Sequence, residues 1–145
     1  MSNLKQRNGD DHPEAAVKNI IDAEVLLSQQ RYDGAGYLAG YAVESILKTI
    51  YQVESGIAKT GHDLSDLNRE ALRLASLPAA KTAKYIRLPQ ITTIGYGLPN
   101  GWKETLRYRP EGELAPRTAT TWVHEARRLH NEIIKPMKLD GVITL

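Results

Sequence analysis

Between Ala35 and Ile50 the residues Ala35, Leu38, Ala39, Ala42, Val43, Ile46, Leu47 and Ile50 recur at intervals of three and four. That spacing collects them on one face of an α-helix, whereas a strand would scatter them over both faces of a sheet. Small residues at Ala35, Gly36, Ala39 and Gly40 would let a neighbouring helix come close. The segment therefore points to a fold made of packed helices. Glu44 and Lys48 lie one turn apart on its flank, and their spacing alone reads as a solvent-screened pair contributing about a few tenths of a kcal/mol.

Further helices are expected on both sides. Residues 1–10 are polar and include Asn8-Gly9-Asp10, which suggests a flexible lead-in. Asp11 or His12 can then cap a helix with Pro13 in its first turn and Glu14 near its positive end. Ala16, Ile20, Ala23 and Leu27, widened by Val17 and Ile21, carry this first helix to about Gln30. A second helix follows Tyr32-Asp33-Gly34, with Asp33 as its cap, and runs to about Glu54 before Ser55-Gly56. The two should form an antiparallel hairpin. Asp63 or Ser65 caps a third helix bearing Leu67, Ala71 and Leu74, which Leu77-Pro78 ends.

Beyond it, from Ala79 to about Thr93, the pattern is mixed: Ala80, Ala83, Tyr85 and Ile86 suggest a short helix that Leu88-Pro89 interrupts. Gly95, Gly97, Pro99 and Gly101 mark a loop, and Trp102 to Tyr108 suggests one or two helical turns. Pro116 opens a strong helix to about Ile134, which Lys135-Pro136 should close, and Val142-Ile143 follows in a short tail. No strand, repeat or low-complexity tract stands out. The expectation is an all-α, single-domain up-and-down bundle with a lead-in at 1–10, a helical domain at 11–136 and a tail at 137–145.

Composition removes several functions. The chain of 145 residues has no cysteine, which excludes disulfides, zinc thiolate sites and thiol catalysis. Its net charge of +2 is too small to imply nucleic-acid binding. The lack of a long apolar run argues against a membrane span, and the polar start against a secretory signal, so a cytoplasmic location is the default. No cofactor is expected. His124 and His130 diverge around a helix, a poor arrangement for a shared metal.

The last helix divides into two faces. Ala119, Trp122, Ala126, Leu129 and Ile133 form a core stripe, while Arg117, Thr121, His124, Arg128 and Asn131 share the opposite side. That polar side reads most simply as a solvated helix face. His62, in the turn Gly61-His62-Asp63-Leu64, reads as a turn or packing residue. His130 reads as a packed residue with one satisfied hydrogen bond, and His12 as a cap.

The order of Arg31-Tyr32-Asp33-Gly34-Ala35, then Glu44-Ser45-Ile46-Leu47-Lys48, then Gly61-His62-Asp63-Leu64 resembles the HEPN domains of bacteria and archaea. The resemblance spans about Pro13 to Leu72 and, more loosely, Trp102 to Ile134. It implies a helical bundle that dimerises. HEPN ribonucleases use an arginine followed a few residues later by a histidine, and Arg117 and His124, with six residues between them, fit that loose pattern. The implied chemistry needs no metal. Histidine exchanges protons with a ribose 2′-hydroxyl and the departing 5′-oxygen, and arginine holds the phosphate.

Arg128 and Asn131 on the same stripe, with Glu44 and Lys48 at the implied dimer groove, become candidates for holding RNA or a nucleotide. In many HEPN proteins asparagine follows the active arginine, whereas Thr118 stands there in this chain. Trp102 to Pro110 resembles the stretch of HEPN members without a confirmed ribonuclease pair, in which the residues matching Arg107 and Tyr108 order the loop before the last helix. Arg107 and Tyr108 could equally present a charge and a stacking ring to a nucleotide. Two readings stay open: an endoribonuclease of toxin–antitoxin or defence type, or a noncatalytic partner module for a minimal nucleotidyltransferase or a nucleotide.

Overall fold

Asp11 starts the first helix through its side chain, which accepts the Glu14 N–H at 3.4 Å, with Pro13 in the first turn. The computed structural model describes residues 1–86, 94 and 101–144. In order, these form α1 (His12–Ser28), α2 (Tyr32–Ser55), α3 (Leu64–Ala75), α4 (Pro116–Leu129), a π-helical turn (His130–Ile134) and α5 (Lys135–Leu139). Short 3₁₀ turns occupy Ala83–Tyr85 and Glu104–Tyr108. No strand occurs among the described residues, and the fold is an all-α bundle. No described helix is long and apolar enough to cross a membrane.

The other boundaries have equally local causes. Gln30, at φ 58°, turns the chain sharply between α1 and α2, and Arg31 N–H closes the link onto the Leu26 carbonyl at 2.9 Å. Gly56, at φ 73°, ends α2 in the left-handed conformation that glycine adopts most cheaply. Asp63 caps α3 by accepting the Asp66 N–H at 3.0 Å. The helix stops at Ala75, just short of Leu77-Pro78.

Helix α2 is the centre of the bundle, packed against α1, α3 and α4. Every residue from Ala42 to Ile50 is buried. The expected faces of α1 and α4 meet it: Ala16, Ile20 and Ala23 from one, and Ala119, Trp122, Ala126 and Leu129 from the other, are fully or almost fully buried. Arg127 joins these outer helices directly, with Nε and an Nη each 2.7 Å from the Glu24 carboxylate.

Four expectations need correction. Asp33 does not cap α2. Its carboxylate instead accepts the N–H groups of Gly112 (2.6 Å) and Leu114 (2.7 Å), so it anchors the segment leading into α4. Gly40 admits a loop side chain rather than a helix, and Gly36 admits Leu114 beside Trp122 of the neighbouring α4. A methyl at Gly36 would run into Leu114, and one at Gly40 into the indole of Trp102. The last helix does not close at Lys135-Pro136. Proline lacks an N–H and its ring crowds the preceding turn, and the π turn just before it widens the helix so that α5 continues to Leu139.

The lead-in is also tied down. Ser2 is buried and gives its N–H (2.7 Å) and hydroxyl (2.6 Å) to Asp11, and the Leu4 carbonyl receives the Gln52 amide. The tail folds back onto the bundle, burying Ile143, and Asn3 exchanges bonds with Thr144. Between α3 and α4, Thr82 is fully buried and gives its N–H (2.5 Å) and hydroxyl (2.8 Å) to Glu54. The short helix expected on Ala80, Ala83, Tyr85 and Ile86 is the 3₁₀ turn Ala83–Tyr85. Residues 87–93 and the loop residues Gly95, Gly97 and Pro99 lie outside the described residues.

Candidate functional site

Two polar groups emerge from this framework, in opposite surroundings. The first is the outer face of α4. Arg117, Thr121, His124 and Asn131 are exposed, and Arg128 is half-buried with an Nη 2.9 Å from Glu132. Arg117 and His124 are seven residues apart, so they are displaced by about 10 Å along the axis while pointing in nearly the same direction. The Thr121 hydroxyl between them is turned onto the Arg117 carbonyl at 2.9 Å. The face is held firmly from behind by Trp122, Ala126 and the Arg127–Glu24 bridge. Arg127 keeps the Glu24 carboxyl below its ordinary range, against partial burial, and His124 is near enough to add a little.

The second group was misjudged from sequence. Glu44 and Lys48 are not solvent-screened, because their side chains are 6% and 8% exposed, with Nζ 2.7 Å from Oε1. The other oxygen, Oε2, lies 2.9 Å from His62 Nδ1. His62 is therefore more than a turn residue. An ionised carboxylate only accepts, so Nδ1 carries the proton in this contact, and in the neutral ring Nε2 keeps its lone pair.

These three residues sit at the wall of an open cavity of about 740 Å³ formed by the start of α1 and the middle of α2, with His62 also bordering a second cavity of about 370 Å³ toward Trp102. His12 lines the first cavity, where burial, and Lys48 after it, lower its pKa. Tyr41 meets His62 edge to face (centroids 6.2 Å apart) and Trp102 likewise (5.0 Å). Burial and the Tyr37 hydroxyl push the Tyr41 phenol up, so it stays protonated. The Trp102 indole N–H bonds the Tyr37 carbonyl at 2.9 Å over the space left at Gly40.

Arg107 and Tyr108 are exposed, with the guanidinium 4.8 Å from the ring centroid and within reach of the Tyr37 side chain on α2. Through that contact Arg107 acts with Asp33 and Trp102 in tying the loop before α4 to the bundle. His130 is buried, as expected of a packed residue, with the Asn131 side chain as the polar group that reaches its ring. Burial lowers its pKa, with Asn131 opposing and Arg127, Lys138 and Lys135 adding to the effect. Glu125, which falls on the core side of α4, is buried as well and accepts the Ile94 N–H at 3.1 Å. A signal for it existed in the sequence, as an acid adjacent to the apolar stripe.

The family model for the HEPN domain matches residues 10–136. The chain belongs to the HEPN family. Membership fits the helical bundle and places the chain in a family of nucleotide-binding and ribonuclease type. No curated protein and no solved structure matches it significantly. The matched region of this HEPN domain includes both polar groups and the loop bearing Arg107 and Tyr108.

Proposed function

We propose that this HEPN domain is a metal-independent endoribonuclease that acts as a cytoplasmic homodimer, in a toxin or defence role. The observation that carries the reading is the exposure of Arg117 and His124 on one face of a rigidly seated α4. In the reaction His124 takes the proton of a ribose 2′-hydroxyl. The freed oxygen attacks the adjacent phosphorus, and the bond to the 5′-oxygen breaks as that oxygen gains a proton. The products are a 2′,3′-cyclic phosphate and a 5′-hydroxyl end.

Arg117 supplies fixed donors to the phosphate oxygens as charge accumulates. The second copy brings a second His124, so that one imidazole acts as base and the other as acid. Ile21 and Val25, 49% and 57% exposed on either side of Glu24, supply apolar surface for that contact beside α4. Arg128 and Asn131 extend the RNA-binding stripe.

Stacking of Arg107 on the exposed Tyr108 favours a second reading, in which the domain holds a nucleotide or a nucleotidyltransferase without catalysis. Labelled structured and unstructured RNAs incubated in EDTA separate the two. Cleavage to cyclic-phosphate ends by wild type, lost in His124→Ala and in Arg117→Ala, supports the nuclease. Absence of cleavage by wild type across substrates overturns it in favour of the partner module.

A further inference from the structure

The open cavity between the start of α1 and the middle of α2 is short of positive charge. Its wall carries four carboxylates, on Asp10, Asp11, Glu14 and Glu44, against the lysines Lys18 and Lys48. Lys48 is closed onto Glu44 at 2.7 Å, so that pair adds no net charge. Three acids then stand against Lys18, and among the described residues none of them has a lysine or arginine within ion-pair distance. The start of a helix favours acids, which explains their place without neutralising them. Asp11 is occupied by Ser2 and the Glu14 N–H, and Asp10 by the Asn8 amide. The Glu14 carboxylate has no hydrogen-bond partner among the described residues.

A second observation is independent of charge. Ser45 lies on the same wall, 6% exposed, and its hydroxyl has no hydrogen-bond partner among the described residues. In the same helix Thr49 and Ser55 turn their hydroxyls onto the carbonyl four residues back, at 2.8 and 2.7 Å. Ser45 does not, so a polar side chain more than nine-tenths buried is left for something that enters the cavity.

We propose that this cavity binds a linear aliphatic polyamine, a ligand made of ammonium groups joined by methylenes. Ammonium groups only donate, and the open partners on the wall, the Glu14 carboxylate and the Ser45 oxygen, accept. The Tyr41 ring on the same wall adds an aromatic surface of the kind that attracts cations. The acids are spread rather than gathered, since no group of three or more histidine or acidic side chains among the described residues could hold a metal ion. A chain with its charges spaced along it matches such a wall better than a small ion does. The volume, about 740 Å³, is in the range of organic ligand sites. A basic peptide fits less well, because its backbone carbonyls would meet carboxylates. The site uses none of the residues proposed for RNA chemistry on α4.

The test is calorimetric titration of the full chain with spermidine at low ionic strength and without RNA. Saturable binding is expected, tighter than that of putrescine, which has one ammonium fewer. Glu14→Gln should weaken it about threefold, as for loss of a partly exposed ion pair. Ser45→Ala should weaken it by a similar factor, as for loss of a hydrogen bond. If Ser45→Ala fails to fold, Glu14→Gln still decides. Glu70→Gln, which removes an acid on α3 outside the cavity, should leave binding unchanged.

No saturable binding at millimolar spermidine overturns the site, and so does equal weakening by Glu70→Gln and Glu14→Gln, the mark of diffuse attraction. Displacement of spermidine by magnesium at equal charge concentration has the same meaning. Tighter binding of trilysine than of spermidine also overturns the proposal, in favour of a basic segment of a partner protein. Because no RNA is present, failure here leaves the nuclease reading untouched, and failure of that reading leaves the cavity untouched.

Discussion

Glu44 with Lys48 on α2, and Arg117 with His124 on α4, are polar groups on helical flanks of the same bundle, yet the first has been taken out of water and the second left in it. The difference comes from position in the bundle. Helix α2 is surrounded by three helices, so even its flank is covered. Helix α4 is an outer helix, and one whole side meets solvent. A buried pair of charges is bound by mutual satisfaction, and disturbing one member disturbs the other. Exposed charges are independent, and their use waits on something from outside the chain.

Breaking the buried side should give the largest effect. Lys48→Ala leaves Glu44 with a single partner in a covered site and should cost about 3 kcal/mol, whereas Glu44→Gln/Lys48→Met should lie within about 1 kcal/mol of wild type. Urea unfolding of the three proteins measures this. Equal losses in the single and double variants would show that the pair is not energetically closed.

A smaller effect is expected at His130, which is buried in the π turn that continues the same outer helix. Its folded pKa is lowered, so the native state favours the neutral ring while the unfolded chain protonates near pH 6.5. The contribution is fully present above that pH and is lost as the pH falls through the lower folded value. His130→Leu should remove this part of the acid-side decline, read as a flatter melting temperature between neutral and mildly acidic pH. An unchanged slope would mean that His130 does not titrate with folding.

The smallest effect on stability belongs to the exposed stripe. Arg117→Ala and His124→Ala should each shift unfolding by no more than about 0.5 kcal/mol, measured in the same urea series. A larger loss would show that the stripe has structural partners, and would blur the contrast on which the proposed chemistry rests.

What could be read in the sequence follows the same division between local and distant causes. The Asp11 and Asp63 caps, the glycine stop at Gly56 and the proline start at Pro116 depend on neighbours within a few residues, and each was legible. So was the core stripe of α4, because its period is a property of one helix. The burial of Glu44 and Lys48 was not legible, since helical spacing gives direction around an axis and not what lies opposite. Nor were the partners of Asp33, Gly36 and Gly40, which come from Trp102, Gly112 and Leu114, far beyond α3 in the chain. His62 looked like a turn residue because its carboxylate partner is eighteen positions away. For the candidate site, the exposed stripe was visible as a pattern and the cavity was not, because a cavity is made by assembly.

The π turn before Pro136 sets the phase of everything that follows it. It acts as one extra residue wound into the helix, and one residue corresponds to about 100° of rotation. With the turn in place, Met137 faces inward at 0% exposure, and its carbonyl receives the N–H groups of Val142 and Ile143 as the chain reverses. Unwinding it by a single deletion would swing Met137 and its reversal about a quarter-turn around the axis, carrying Ile143 out of the core and separating Thr144 from Asn3. The two ends of the chain are thus kept together by a miscount of one in the last helix.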